Sequence, residues 1–215
     1  MILFSNVFKK YPKLIQNKFS FVKKTALLFF IAFYFSIFNS VADTIVNLNS
    51  GWLFNYNDVW YPANAPSCIH SDLFKNNLIE EPYYRDNESK LQWIGERTWM
   101  YKKVFEIDST LLSKQHVEIN FKGLDTYADV YVNGNLILKA DNMFRLWTAD
   151  CKKFISKGPN LLEIVFHPAQ AEAKKRYDSY PVKLPDVERV MSRKAQFNFG
   201  WDFAPKFITC GSFTE

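Results

Sequence analysis

No G-x-G-x-x-G, P-loop or G-x-S-x-G signature occurs in the 215 residues, so nothing local supports nucleotide binding or a hydrolase nucleophile elbow. Cysteine is scarce. Cys68, Cys151 and Cys210 allow at most one intramolecular disulfide, and an odd count is not a disulfide framework. Three buried thiols are expected, because a domain of this size needs no covalent staple. Histidine is equally scarce: His70, His116 and His167 lie far apart without paired ligand spacing. They read as surface or hydrogen-bonded side chains, and no metal or cofactor is implied. Acidic residues are missing altogether from the first 42 positions.

That missing acid defines a separate segment. Lys9, Lys10, Lys13, Lys18, Lys23 and Lys24 form a basic stretch. It runs into about thirteen apolar residues from Ala26 to Phe38, then into the small-x-small pattern Ser40-Val41-Ala42. This order predicts a secretory signal over residues 1–42. The apolar run is short against the roughly 20 residues of a membrane span, although the long basic region leaves a signal anchor as the alternative. The chain has 27 basic and 22 acidic residues, net +5. Without the six leader lysines the balance is 21 to 22, net −1. The excess of base therefore belongs to the export segment and is no argument for a nucleic-acid partner. The expected location is exported (periplasmic, secreted or lysosomal), with membrane contact only through the signal segment.

Residues 43–215 are long enough for one domain with a sizeable core. Strand patterns dominate. Trp99–Ile107 is rich in β-formers, and His116–Phe121 and Ala128–Val132 alternate polar with apolar. Asn133-Gly134 tolerates the positive φ angles of a tight turn and predicts a hairpin onto Leu136–Leu138. Leu161–Phe166, after Gly158-Pro159-Asn160, reads as another strand, and a further one is expected to start near Phe144 after a turn at Asp141-Asn142. Helix is sparse: Ile69–Asn77, with Ser67 as its cap, and Ala169–Tyr177. Lys174-Lys175-Arg176 reads as a solvated helix face. Many short strands with few helices indicate an all-β fold, an antiparallel β-sandwich of jelly-roll type.

The informative stretches mix aromatic with polar residues. Glu96 and Arg97, between Trp93 and Trp99, are placed to form ion pairs shielded by the indoles. The segment serves either as a structural corner or as a sugar-facing surface. Asn87-Glu88-Ser89 is a glycosylation sequon. Near the end, Phe197-Asn198-Phe199-Gly200-Trp201-Asp202-Phe203-Ala204-Pro205-Lys206-Phe207 holds five aromatics and one acid. A carboxylate among aromatics needs either backbone donors or a polar ligand, because burying it unpaired costs several kcal/mol.

Several of these stretches together resemble a known family. Pro82–Glu88, Leu91–Arg97 (L-Q-W-I-G-E-R), Gly123–Ala128 (G-L-D-T-Y-A), Val132-Asn133-Gly134, Asp141–Phe144 and Phe199–Asp202 (F-G-W-D) are similar to the N-terminal, galactose-binding-domain-like jelly roll of β-mannosidases of glycoside hydrolase family 2. The match spans most of residues 48–211. The resemblance implies an exo-acting, retaining glycosidase whose partner is a β-mannoside oligosaccharide. It also implies that immunoglobulin-like sandwiches and a (β/α)8 barrel follow the jelly roll, the barrel supplying two glutamates about 5–5.5 Å apart. No residue here matches that pair, so no catalytic residue is assigned. The chain is expected to be a fragment lacking the barrel and its last sandwich strand, which would leave an unpaired sheet edge. In the family the G-W-D-W loop shapes the pocket for the terminal mannose, so Trp201 and Asp202 are the expected substrate-binding residues. Phe203 stands where the family usually has a second Trp, and Ser67-Cys68 where it tends to have Gly and a small residue. The alternative is a stand-alone carbohydrate-binding module, which would bind sugar by itself.

Overall fold

Asn133 and Gly134 take φ angles of +49° and +77°, as a tight hairpin turn requires, and they join two strands of the central sheet. The computed structural model describes residues 44–211 except 184 and 186. The chain divides into two compact units, residues 1–45 and 46–215. The expected signal over residues 1–42 lies outside the described residues. All the described strands and helices belong to the second unit.

The strands are β1 (Trp52–Tyr56), β2 (Val59–Ala63), β3 (Trp99–Ile107), β4 (Glu118–Phe121), β5 (Tyr127–Val132), β6 (Asn135–Asp141), β7 (Trp147–Asp150) and β8 (Gly158–His167). The helices are α1 (Ile69–Lys75), α2 (Asn87–Lys90), α3 (Ser109–Leu112) and α4 (Ala169–Ser179). Six strands form one sheet in the order β2-β1-β3-β8-β5-β6, and β4 pairs with β7 in a second. All these pairings are antiparallel. The all-β expectation holds.

Two-residue alternation explains the layering. Trp99, Tyr101, Phe105 and Ile107 of β3 point inward, as do Asn160, Leu162, Ile164 and Phe166 of β8 and Ala128, Val130 and Val132 of β5. Register brings them side by side: Tyr101 opposite Ile164, Phe166 opposite Ala128, Ile164 opposite Val130. Ile119 and Phe121 of β4 and Trp147 and Ala149 of β7 close the core from the other layer. Each fully buried large side chain contributes about 1.5–3 kcal/mol, so this shared inner face holds the two sheets together.

Several local expectations shift. The strand expected from His116 begins at Glu118, and the one expected near Phe144 begins at Trp147, because Asn142 Oδ1 accepts from the Phe144 amide and holds that stretch in a turn. Gly158-Pro159-Asn160 lies inside β8 rather than before it. The β1–β2 hairpin is an addition to the expected elements. Its turn residues Asn57 and Asp58 adopt φ of +49° and +64° without a glycine, which short polar side chains tolerate. Helix α1 has Cys68, not Ser67, as its N-cap, without a side-chain cap; the Ser67 hydroxyl lies 2.6 Å from Asp72 Oδ1. On α4, Lys174 pairs with Asp178 in solvent. Arg176 departs from the solvated-face reading: it bonds Asp141 at 3.0 Å, and its guanidinium lies 4.8 Å from the centre of the buried Tyr127 ring.

Candidate functional site at the Trp201-Asp202 turn

Gly200 sits at φ +116°, a conformation closed to most L-residues, and a Cβ there would lie 3.3 Å from the Lys206 side chain. The chain reverses immediately after it, with Trp201 bridging Ala204. This lifts Trp201 and Phe203 to 57% and 87% exposure, and Asp202 is exposed between them. The Trp201 ring lies 6.2 Å from Phe197 and 6.1 Å from Phe203, centre to centre. An aromatic rim therefore surrounds one solvated carboxylate. Among the described residues, no hydrogen bond or ion pair ties Asp202 back to the protein, which answers the burial question: the charge is not buried.

The exposed turn is anchored at both ends by the other motif stretches of the sequence. Downstream, the Lys206 amide donates to Glu88 Oε1 at 2.6 Å. The Gln92 carboxamide donates to the carbonyls of both Lys206 and Glu88, each at 2.8 Å. Gly95 lets the two segments touch: a Cβ there would stand 2.8 Å from the Ile208 carbonyl oxygen, closer than any side chain tolerates. Upstream, the Met143 amide donates to the Arg193 carbonyl, and the Ala195 amide donates to Met143 Sδ at 3.0 Å.

Beneath the turn lies a buried ion pair. Lys194 Nζ donates to Asp125 Oδ2 at 2.5 Å and to the Thr209 carbonyl at 2.9 Å. Asp125 also accepts from the Thr126 hydroxyl, and its carbonyl accepts from the Gly211 amide at 3.1 Å. Removing either partner would leave an uncompensated charge in the core. The G-L-D-T-Y-A stretch thus secures the base of the loop whose tip is Trp201-Asp202.

Q-W-I-G-E-R proves to be a structural corner. Trp99 is fully buried and donates from Nε1 to the Ile94 carbonyl at 2.9 Å. Trp93 packs against Tyr56 and Trp99. The expected ion pairs of Glu96 and Arg97 do not form among the described residues. Arg97 donates to Asn57 Oδ1 at 3.1 Å and lies over the Tyr56 and Trp99 rings instead, because the neighbouring faces are aromatic rather than acidic. The sequon also reads differently: Asn87 is buried and its carboxamide nitrogen donates to the Glu81 carbonyl at 2.8 Å.

Sequence reasoning misses two buried groups. Lys194 carries no sequence signal, because its partner stands 69 residues away. His70 departs from the expectation of a surface or hydrogen-bonded side chain. It is 7% exposed, with Nδ1 lacking any partner, and its ring centre is 5.1 Å from that of Phe207. Burial, and then the charge of Lys194, push its pKa down to about 4, so the imidazole is neutral. Asp72 is buried as well, bonded by Ser67 and by the Tyr101 hydroxyl at 2.9 Å; desolvation raises its pKa against those bonds.

Residues 46–214 match the family described as "Glycosyl hydrolase 2 galactose-binding domain-like". The chain belongs to this family. Among relatives, it is 37% identical to β-mannosidase B of Aspergillus fumigatus over 180 residues, 78% of this chain and 21% of that protein. It is 35% identical to β-mannosidase of Bos taurus over 161 residues, 70% of this chain and 18% of the relative. The crystal structure of β-D-mannosidase from Dictyoglomus thermophilum superposes with a TM-score of 0.76 at 34% identity, over 79% of this chain and 22% of that one. The exo-chitosanase of Amycolatopsis orientalis, at TM-score 0.52 and 18% identity, shares the fold alone. The chain spans about a fifth of the length of the curated relatives it matches. Among the described residues no helix is long and apolar enough to cross a membrane.

Proposed function

We propose that residues 43–215 serve as the sugar-binding domain of an exported β-mannosidase, one that removes terminal non-reducing β-D-mannose, and that Trp201 and Asp202 contact that sugar. The observation that carries this reading is the exposed turn itself. A solvated carboxylate is held on an anchored loop between aromatic rings, with no partner among the described residues. Flat aromatic faces stack on the C–H face of a pyranose, and a carboxylate accepts from two adjacent hydroxyls in charge-assisted hydrogen bonds. The chemistry of bond cleavage is assigned to carboxyls of a barrel domain rather than to residues 43–215. The leader at residues 1–42 supplies export.

A chimera tests the assignment. Residues 46–211 replace the matching domain of the Dictyoglomus thermophilum β-D-mannosidase, and hydrolysis of an aryl β-mannoside is followed. The chimera is expected to be active, and Asp202→Ala in it to lower kcat/KM roughly 10- to 100-fold, the range for one lost charged hydrogen bond. The same variant with unchanged kcat/KM would remove Asp202 from the substrate site. The chain by itself is expected to release no product above a heat-killed control.

A further inference from the structure

A concavity lies beside the Trp201 turn and does not include Trp201 or Asp202. It has a volume of about 330 Å³, within the lower range of small-ligand sites. Phe207, Tyr83 and Phe197 contribute aromatic walls, and His70, Asn198 and Glu81 contribute polar groups. Phe207 is contacted edge-on by Tyr83 at 5.5 Å and by the tilted His70 ring at 5.1 Å, centre to centre. All of these side chains belong to this one chain.

We propose that this pocket is a second pyranose subsite, with the His70 imidazole as its hydrogen-bonding anchor and the Phe207 ring as its stacking surface. The inference rests on the carbohydrate reading above but not on Trp201 or Asp202. His70 is held by no side-chain hydrogen bond among the described residues. Its Nδ1 is sealed from solvent without a partner, and His70 lines the cavity. A neutral ring nitrogen either donates or accepts according to tautomer. A hydroxyl satisfies it in both cases, whereas an ammonium suits only one and a carboxylate only the other. The flanking charges narrow the class further. The positive charge of Lys194 that bears on His70 disfavours a cation there, and Glu81 in the lining disfavours an anion. A neutral ring with several hydroxyls and one apolar face fits both the polar groups and the aromatic wall.

The test uses the three histidines, whose imidazole signals are few enough to resolve. The purified chain, labelled on its histidine rings, is titrated with methyl β-D-mannopyranoside; because it holds six tryptophans, the Trp201 emission is read as the difference between the wild type and Trp201→Phe. The expected result is a saturable shift of the His70 ring signal, with His116 and His167 unmoved. Asn198→Ala should weaken binding several-fold. Trp201→Ala should leave the His70 titration unchanged. A His70 signal that does not move overturns the proposal, even if Trp201 emission responds; that outcome leaves the rim assignment standing. A His70 shift lost in Trp201→Ala places the sugar at the rim and also overturns it. So does an equal response to cyclohexanol, which would mean apolar filling rather than sugar recognition. A His70 shift with Trp201 silent supports the subsite and speaks against the rim.

Discussion

Lys194 Nζ and Asp125 Oδ2 are 2.5 Å apart, with side-chain exposures of 0% and 4%. One partner precedes the Trp201 turn, and the other lies in G-L-D-T-Y-A before β5, so this ion pair helps tie the candidate site to the sandwich. Lys194→Met should cost about 3–5 kcal/mol by leaving Asp125 buried and unpaired. Asp125→Asn combined with Lys194→Met should lose clearly less than the sum of the two single changes. Urea melts of the four proteins supply the coupling energy; strictly additive losses would show that the pair is not the anchor.

Gly95 offers a test in which two effects oppose each other. It caps a short 3-10 turn with φ of −71°, where alanine is favoured over glycine by up to about 1 kcal/mol. The Ile208 carbonyl, 2.8 Å from the position of a new Cβ, opposes it with overpacking worth about 1–3 kcal/mol. The clash should win, so Gly95→Ala lowers the melting temperature. Gly134→Ala is the control: it meets nothing within 4 Å and pays only for its positive φ. A more stable Gly95→Ala protein would contradict the close approach.

His70 makes a pH prediction with a definite sign. Its pKa falls from 6.5 to about 4 on folding, so between those values the unfolded chain binds the extra proton. Stability contributed by the neutral ring is complete above pH 6.5 and is lost as pH falls toward 4, up to about 3 kcal/mol. Asp72, raised by burial, works in the opposite direction. The comparison is therefore wild type against His70→Gln at each pH. The gap between their urea midpoints should narrow on acidification from pH 7 to 4.5, and a constant gap would count against a buried neutral imidazole.

The three thiols are all free, and they differ in access. Cys151 and Cys210 are buried; desolvation pushes the Cys151 thiol up to about 11 and raises that of Cys210 as well. Cys68 is half-buried, 3.4 Å from the Ser71 hydroxyl, so the expectation of three buried thiols holds for two. Iodoacetamide at pH 8 should alkylate Cys68 alone in the native chain and all three in denaturant, read by peptide mass. Rapid native labelling of Cys151 would contradict its burial.

Legibility in the sequence follows locality. The alternation in β3, β5 and β8 and the Asn133-Gly134 turn are readable because side-chain period and backbone φ depend on neighbouring residues. The Asn57-Asp58 hairpin escapes because its turn lacks a glycine. Trp201 and Asp202 are legible as an odd juxtaposition. Their exposure is not, since it depends on Glu88 and Gln92 holding Lys206 from more than a hundred residues away. His70 escapes because a lone histidine looks the same in sequence whether solvated or sealed against Phe207.

By itself the sequence determined the strand-rich fold, its alternating core and the set of motifs that mark the family, because these depend on local chemistry and composition. Tertiary structure alone decided what the motifs do. It turned Q-W-I-G-E-R into a corner, made Gly95 a point of backbone contact and paired Lys194 with Asp125 across 69 residues. It also left Asp202 in solvent. The physical reason is that burial and partnership are set by which distant segments meet, and a one-dimensional pattern carries that information only weakly.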